Sequence, residues 1–161
     1  MLLWFAVVAP VLVAEVFRSP MVDYRLVALG ALAPLIEVAL GRPSVLHTIL
    51  GSVAALFGVM MATRNRRLLR RRLLGIPIGL FLHLVLDGTW TRARLFWWPA
   101  FGAELSADEL FETGRSPEVF VLMEVAAVVV AIWAWRRYGL DSSDNRSLLA
   151  RRGHLSQGTL R

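Results

Sequence analysis

The sequence predicts an all-α protein, a polytopic transmembrane helical bundle of about five spans with an interfacial outer loop. Three observations predict it. The chain of 161 residues is 57% hydrophobic, with a mean hydropathy of +0.57. Its apolar residues fall in blocks rather than in the amphipathic periods of a soluble domain, and the blocks approach the length that crosses a hydrocarbon core of roughly 30 Å. Its basic residues, all arginine, gather on alternate connections between those blocks.

The first block covers residues 1–17. It lacks a basic leading region and an A-x-A-like cleavage site, so it reads as a helix rather than a signal peptide. The others cover 26–40, 45–62, 73–86 and 119–135. Blocks two and four are short, and snorkelling by Arg25 and Arg72 lengthens them toward the headgroups. Residues 1–140 form the membrane domain. Residues 141–161 are polar and mixed and are expected to be a poorly ordered cytoplasmic tail; His154 lies there and has no assigned role.

Orientation follows from the arginines. Arg18, Arg25, Arg64, Arg66, Arg67, Arg70, Arg71, Arg72, Arg136, Arg137, Arg146, Arg151, Arg152 and Arg161 share one side, fourteen of eighteen; Arg42, Arg92, Arg94 and Arg115 share the other. The expected location is the cell membrane, multi-pass, with the N-terminus outside and the C-terminus cytoplasmic. The net charge of +6 is then a topogenic signal with affinity for anionic membrane lipid. Nucleic acid is not an expected partner, because no aromatic or groove-reading motif accompanies the charge. The absence of cysteine excludes disulfides and thiolate metal sites.

The longest connection, 88–118, carries Trp90, Phe96, Trp97, Trp98 and Phe101, rings suited to headgroup depth. Within it Ser106-Ala107-Asp108-Glu109 has the form of a capping box. The loop reads as a lid on the outer surface or as a plain aromatic belt.

Ionisable groups inside spans cost about 2.5–3.5 kcal/mol each at the centre. Glu37 lies at the end of span two, and a Gly41-Arg42-Pro43-Ser44 turn follows with Ser44 as N-cap. His47 begins span three. His83 and Asp87 are four apart, on one helix face. All four fall at outer ends, although the arginine count alone fixed which ends are outer. Two imidazoles and two carboxylates suit zinc or manganese. A hydrogen-bonded polar plug tying three helices together accounts for them equally. Glu124 in span five reads as a fifth member of the site or, preferably, as an arginine partner, and Glu15 and Asp23 as partners of Arg18 and Arg25.

The order Ala33-Pro34-Leu35-Ile36-Glu37, His47-Thr48, His83-Leu84-Val85-Leu86-Asp87 and Trp97-Trp98-Pro99 resembles the YdjM-like membrane-bound metal-dependent hydrolases, over residues 26–102. That family carries a Leu-Pro-Asp-x-Asp helix end, a segment ending Thr-His-Ser, a later His-x-x-x-Asp and a downstream Trp-Pro. His83 and Asp87 match directly, Glu37 stands for the second aspartate and His47 for the last central histidine. Leu35 replaces the first aspartate, Arg42 falls near an earlier histidine, and the family's N-terminal histidine has no counterpart. The resemblance implies one metal rather than two, or a scaffold that has lost catalysis.

The resulting expectation is a metal-dependent hydrolase acting at the extracytoplasmic face on a lipid-linked phosphoester. Glu37, His47, His83 and Asp87 are the metal ligands, with Asp87 or Glu37 as general base. Arg42, Arg92 and Arg94 would bind the phosphate. The alternative is a non-enzymatic membrane subunit that docks a membrane protein partner.

Overall fold

The structure is a computed structural model that describes residues 1–40, 45–102 and 115–156; the described residues form helices and no strands. Arg42, Ser44 and the Ser106–Glu109 sequence lie outside them. Helix α1 (Leu2–Phe17) ends where Arg18 turns left-handed. Asp23 caps α2 (Tyr24–Leu32), its carboxylate accepting the Arg25 N–H at 3.2 Å. Pro34 has no N–H and interrupts the ladder, so the second apolar block is two pieces, α2 and α3 (Leu35–Ala39). The third helix also starts later than its pattern suggests. Residues Val45–His47 make a 3-10 turn, and Thr48 caps α4 (Ile49–Ala62) by accepting the Gly51 N–H at 3.1 Å. His47 therefore precedes the helix.

The arginine-rich α5 (Arg67–Leu73) leads into α6 (Gly75–Asp87), which stops at the left-handed Gly88. A 3-10 turn (Thr89–Thr91) and the short α7 (Ala93–Phe96) follow. Helix α8 (Pro117–Arg137) opens with proline at its first position, where no N–H is needed. Helix α9 is Ser143–Arg152.

Helices α2 and α6 pack backbone to backbone. A Cβ on Gly30 would strike the Ile76 carbonyl, and one on Gly79 would strike the Val27 carbonyl. Small residues allow this approach. Around the pair, α1 contributes Phe5, Ala9 and Val13 to a core completed by Val27, Ala31 and Ala134.

The exterior is the reverse of a soluble protein's. Leu12, Val16, Phe57, Met61, Phe81, Leu122 and Val129 are exposed, while Asp23, Glu37, His47, Thr48, His83, Asp87 and Thr89 are buried. Among the described helices α8, with 21 residues at hydropathy 2.0, is the one long and apolar enough to cross a membrane by itself, and 11% of its apolar window is buried. Helices α1 and α4 are apolar but shorter.

Residues 141–156 differ from the sequence expectation: they fold and dock. The Tyr24 N–H donates to the Gly153 carbonyl at 2.8 Å, Arg25 donates to the Ala150 carbonyl at 2.6 Å, and Leu155 enters the core. Three leucines, Leu140, Leu149 and Leu155, anchor a segment whose average polarity conceals them. Asp23 organises this end, with Arg25 at 3.2 Å and Arg72 at 3.3 Å. Glu15 pairs instead with Arg137 and accepts from the Tyr138 hydroxyl at 3.0 Å.

Burial acts to raise the Asp23 carboxyl, but hydrogen bonds and charge from Arg25, with help from Arg72, hold it below its ordinary 3.8. A depressed carboxylate stabilises fully above 3.8, and the contribution is lost as pH falls through the folded value. Asp23→Asn should therefore speed hydrogen exchange of the Tyr24 amide by about tenfold at neutral pH, the scale of a lost charged cap. Acidification through the folded value should likewise lower that amide's protection relative to the unfolded chain in the wild type, and change it little in the variant.

Candidate metal centre

The end of the bundle opposite the arginine-rich α5 carries the polar cluster. Pro34 turns the chain so that α3 presents Glu37 beneath the 3-10 turn. The Glu37 carboxylate accepts the Leu46 N–H at 3.0 Å through Oε1 and meets His47 Nδ1 at 2.7 Å through Oε2. Gly51 fixes the turn against α4, since a Cβ there would strike the Val45 carbonyl. Carbonyls near a broken helix end need partners, and that of Ala31 accepts from His83 Nδ1 at 2.7 Å.

The two imidazoles meet edge to face, with centroids 5.3 Å apart at 84°. The Phe5 ring stacks on His83 at 4.0 Å. A carboxylate and a carbonyl each fix an imidazole proton on Nδ1, so in the neutral rings Nε2 is the basic nitrogen of both. His47 Nε2 is buried with no hydrogen-bond partner among the described residues.

Asp87 completes the cluster from the last turn of α6. Its Oδ2 accepts from Thr89 Oγ1 at 2.8 Å. Its Oδ1 lies 3.2 Å from Arg115, whose guanidinium also donates to the Asp87 carbonyl. All four cluster residues are 6% exposed or less.

The chain matches no known family model, no curated protein and no solved structure. The site therefore stands on its own geometry.

That geometry sorts the residues expected from the sequence. His47 and His83 come together. Glu37 is tied to His47 and Leu46 as an orienting carboxylate. Asp87 is tied to Arg115. Among the described residues no three histidine, aspartate or glutamate side chains are grouped to hold one metal ion, so the four expected ligands do not form a preassembled set. Arg92 is half-buried and Arg94 exposed, both just beyond Asp87 at this end. Glu124 pairs with the Met1 amino group at 2.7 Å rather than with an arginine.

The sequence reading missed Arg115, Thr89 and Phe5. Arg115 had a usable signal, since it precedes span five at the end where Asp87 closes span four. Nothing in the pattern marked Phe5 among its apolar neighbours.

Proposed function

We propose that the chain is a multi-pass membrane protein whose buried cluster is a divalent-metal site with hydrolytic chemistry at the extracytoplasmic face. The observation that carries the metal is the shared state of His47 and His83. A metal-binding histidine almost always donates its other ring N–H to a carboxylate or a carbonyl, and these two do one of each, 5.3 Å apart. When bound, a zinc or manganese ion supplies Lewis acidity and a water of lowered pKa. Glu37 holds the His47 ring in place from 2.7 Å. Asp87 is the carboxylate nearest in role to a general base, and Arg115 orients it from 3.2 Å. Arg92 and Arg94 supply positive charge for a phosphoester at the same end.

The multi-pass reading is supported by the inverted exterior and by the sorting of the ends. Most of the arginines and the docked tail share one end, and His47 and His83 lie at the other. Impermeant thiol labelling in intact cells should modify Ser106→Cys from outside and Ser143→Cys only after lysis. The reverse pattern overturns the orientation.

A second reading rests on the Asp87–Arg115 ion pair. A guanidinium seated on that carboxylate does what a cation would do, and it makes the cluster a polar tie in a non-enzymatic membrane subunit. The two readings part on one experiment. Protein purified with zinc or manganese should retain about one ion and hydrolyse phospholipid phosphoesters in proteoliposomes. Metal-free protein with no turnover decides for the subunit.

A further inference from the structure

Helices α1 and α4 both flank α6, and between them runs an apolar groove of about 460 Å³. Its walls include Leu12, Val16, Leu56, Pro77 and Phe81, and Ser52 is the one hydroxyl on it. The volume lies in the range of small-molecule sites, about 300–1,000 Å³. The groove begins close below the histidine pair. Ser52 lies one turn past the Thr48 cap that follows His47, and Leu82, also on its wall, adjoins His83. From there it runs toward Phe17 and Pro77 at the arginine end. It opens sideways, through Val16, Val53, Leu56 and Phe81, which are all exposed.

Ser52 points to the occupant. The residue is 5% exposed, and its hydroxyl has no hydrogen-bond partner among the described residues. A buried hydroxyl needs an acceptor or donor, and an otherwise apolar slot offers none. A molecule with a long hydrocarbon part and an ester carbonyl near one end answers both walls at once. We propose that the groove seats one acyl chain of an outer-leaflet diacyl phospholipid, with its ester region at Ser52 and its phosphate directed to the His47/His83 end. The inference rests on the membrane-embedded site proposed above, and it narrows the substrate class from phosphoesters in general to glycerophospholipids.

The test uses the full chain in phosphatidylglycerol nanodiscs doped with phosphatidylglycerol that carries a diazirine midway along one acyl chain. After irradiation, mass spectrometry should place adducts on Val53, Leu56 and Phe81 at least fivefold above Val121 and Leu122 on the outer face of α8. Leu56→Trp, which fills the groove, should lower the groove adducts about fivefold and leave those on α8 unchanged. His83→Gln should leave the groove adducts in place while removing the metal. Adducts spread evenly over α1, α4 and α8 in wild-type protein overturn the groove and leave the membrane reading standing. A chain that does not enter the nanodisc overturns both.

Discussion

Replacing His83 with glutamine should lower zinc affinity by more than about a hundredfold while the helices stay assembled. Loss of an outer-shell partner costs 10–100-fold; loss of one of two imidazole ligands should cost more. Glutamine is chosen because its amide can still donate to the Ala31 carbonyl, which His83 Nδ1 meets at 2.7 Å. Alanine would leave that carbonyl short of a donor and the Phe5 ring, stacked at 4.0 Å, against a hole. Glu37→Gln provides the graded comparison. It keeps an acceptor near His47 Nδ1 but removes the carboxylate that orients the ring, so affinity should fall by about 10–100-fold. Zinc titration monitored by calorimetry, with circular dichroism on the same samples, separates binding from folding. His83→Gln protein that binds zinc like the wild type would falsify the metal reading.

Arg115 tests the same site from the other direction. Arg115→Gln removes the guanidinium 3.2 Å from Asp87 Oδ1 and leaves a buried carboxylate short of its counter-charge. In the metal reading the guanidinium is a positive charge beside the cluster that opposes a dication, so the variant should bind zinc tighter, by about tenfold. In the subunit reading the variant loses a buried pair, and unfolding in detergent should become easier by about 3 kcal/mol or more with no gain in zinc affinity.

The helical class was legible in the sequence because apolar blocks and helix stops are local signals. Gly88 ended α6 where a glycine should, and Pro117 opened α8. The second block was less legible. Its apolar run continues across Ala33-Pro34, and periodicity cannot see that Pro34 divides it. Ser44 and Thr48 are both good caps, and the choice between them depends on the Glu37 carboxylate holding the Leu46 N–H, a contact nine residues apart. For the cluster, i, i+4 spacing placed His83 beside Asp87, and the short hairpin placed His47 beside Glu37. What the spacing could not give is how His83 and Asp87 are held. That depends on the Ala31 carbonyl and on Arg115, groups brought in by packing from 52 and 28 residues away. The tail was misread because composition averages over residues, whereas docking needs a few leucines and one glycine in the left-handed conformation.

Gly79→Ala should be strongly disruptive for a single added methyl. A Cβ at Gly79 would strike the Val27 carbonyl and come within 2.7 Å of the Ala31 nitrogen. Both are backbone atoms of α2, so the clash cannot be relieved by a rotamer; the helices must separate. Helix propensity opposes this outcome, since alanine is favoured over glycine by about 1 kcal/mol. The overpacking cost of about 1–3 kcal/mol for a close-packed site should exceed it here, because backbone rather than side chain must move. Gly58→Ala controls for propensity: Gly58 lies on α4, and a Cβ there meets nothing within 4 Å, so it should be neutral or stabilising. The difference between the two variants should reach about 2 kcal/mol or more in detergent unfolding. The site should respond as well, because His83 lies one turn beyond Gly79 on α6 and bonds to Ala31, the residue that would be displaced. Zinc affinity should therefore fall in Gly79→Ala and not in Gly58→Ala. Equal stability of the two variants would show that α2 and α6 do not pack backbone to backbone.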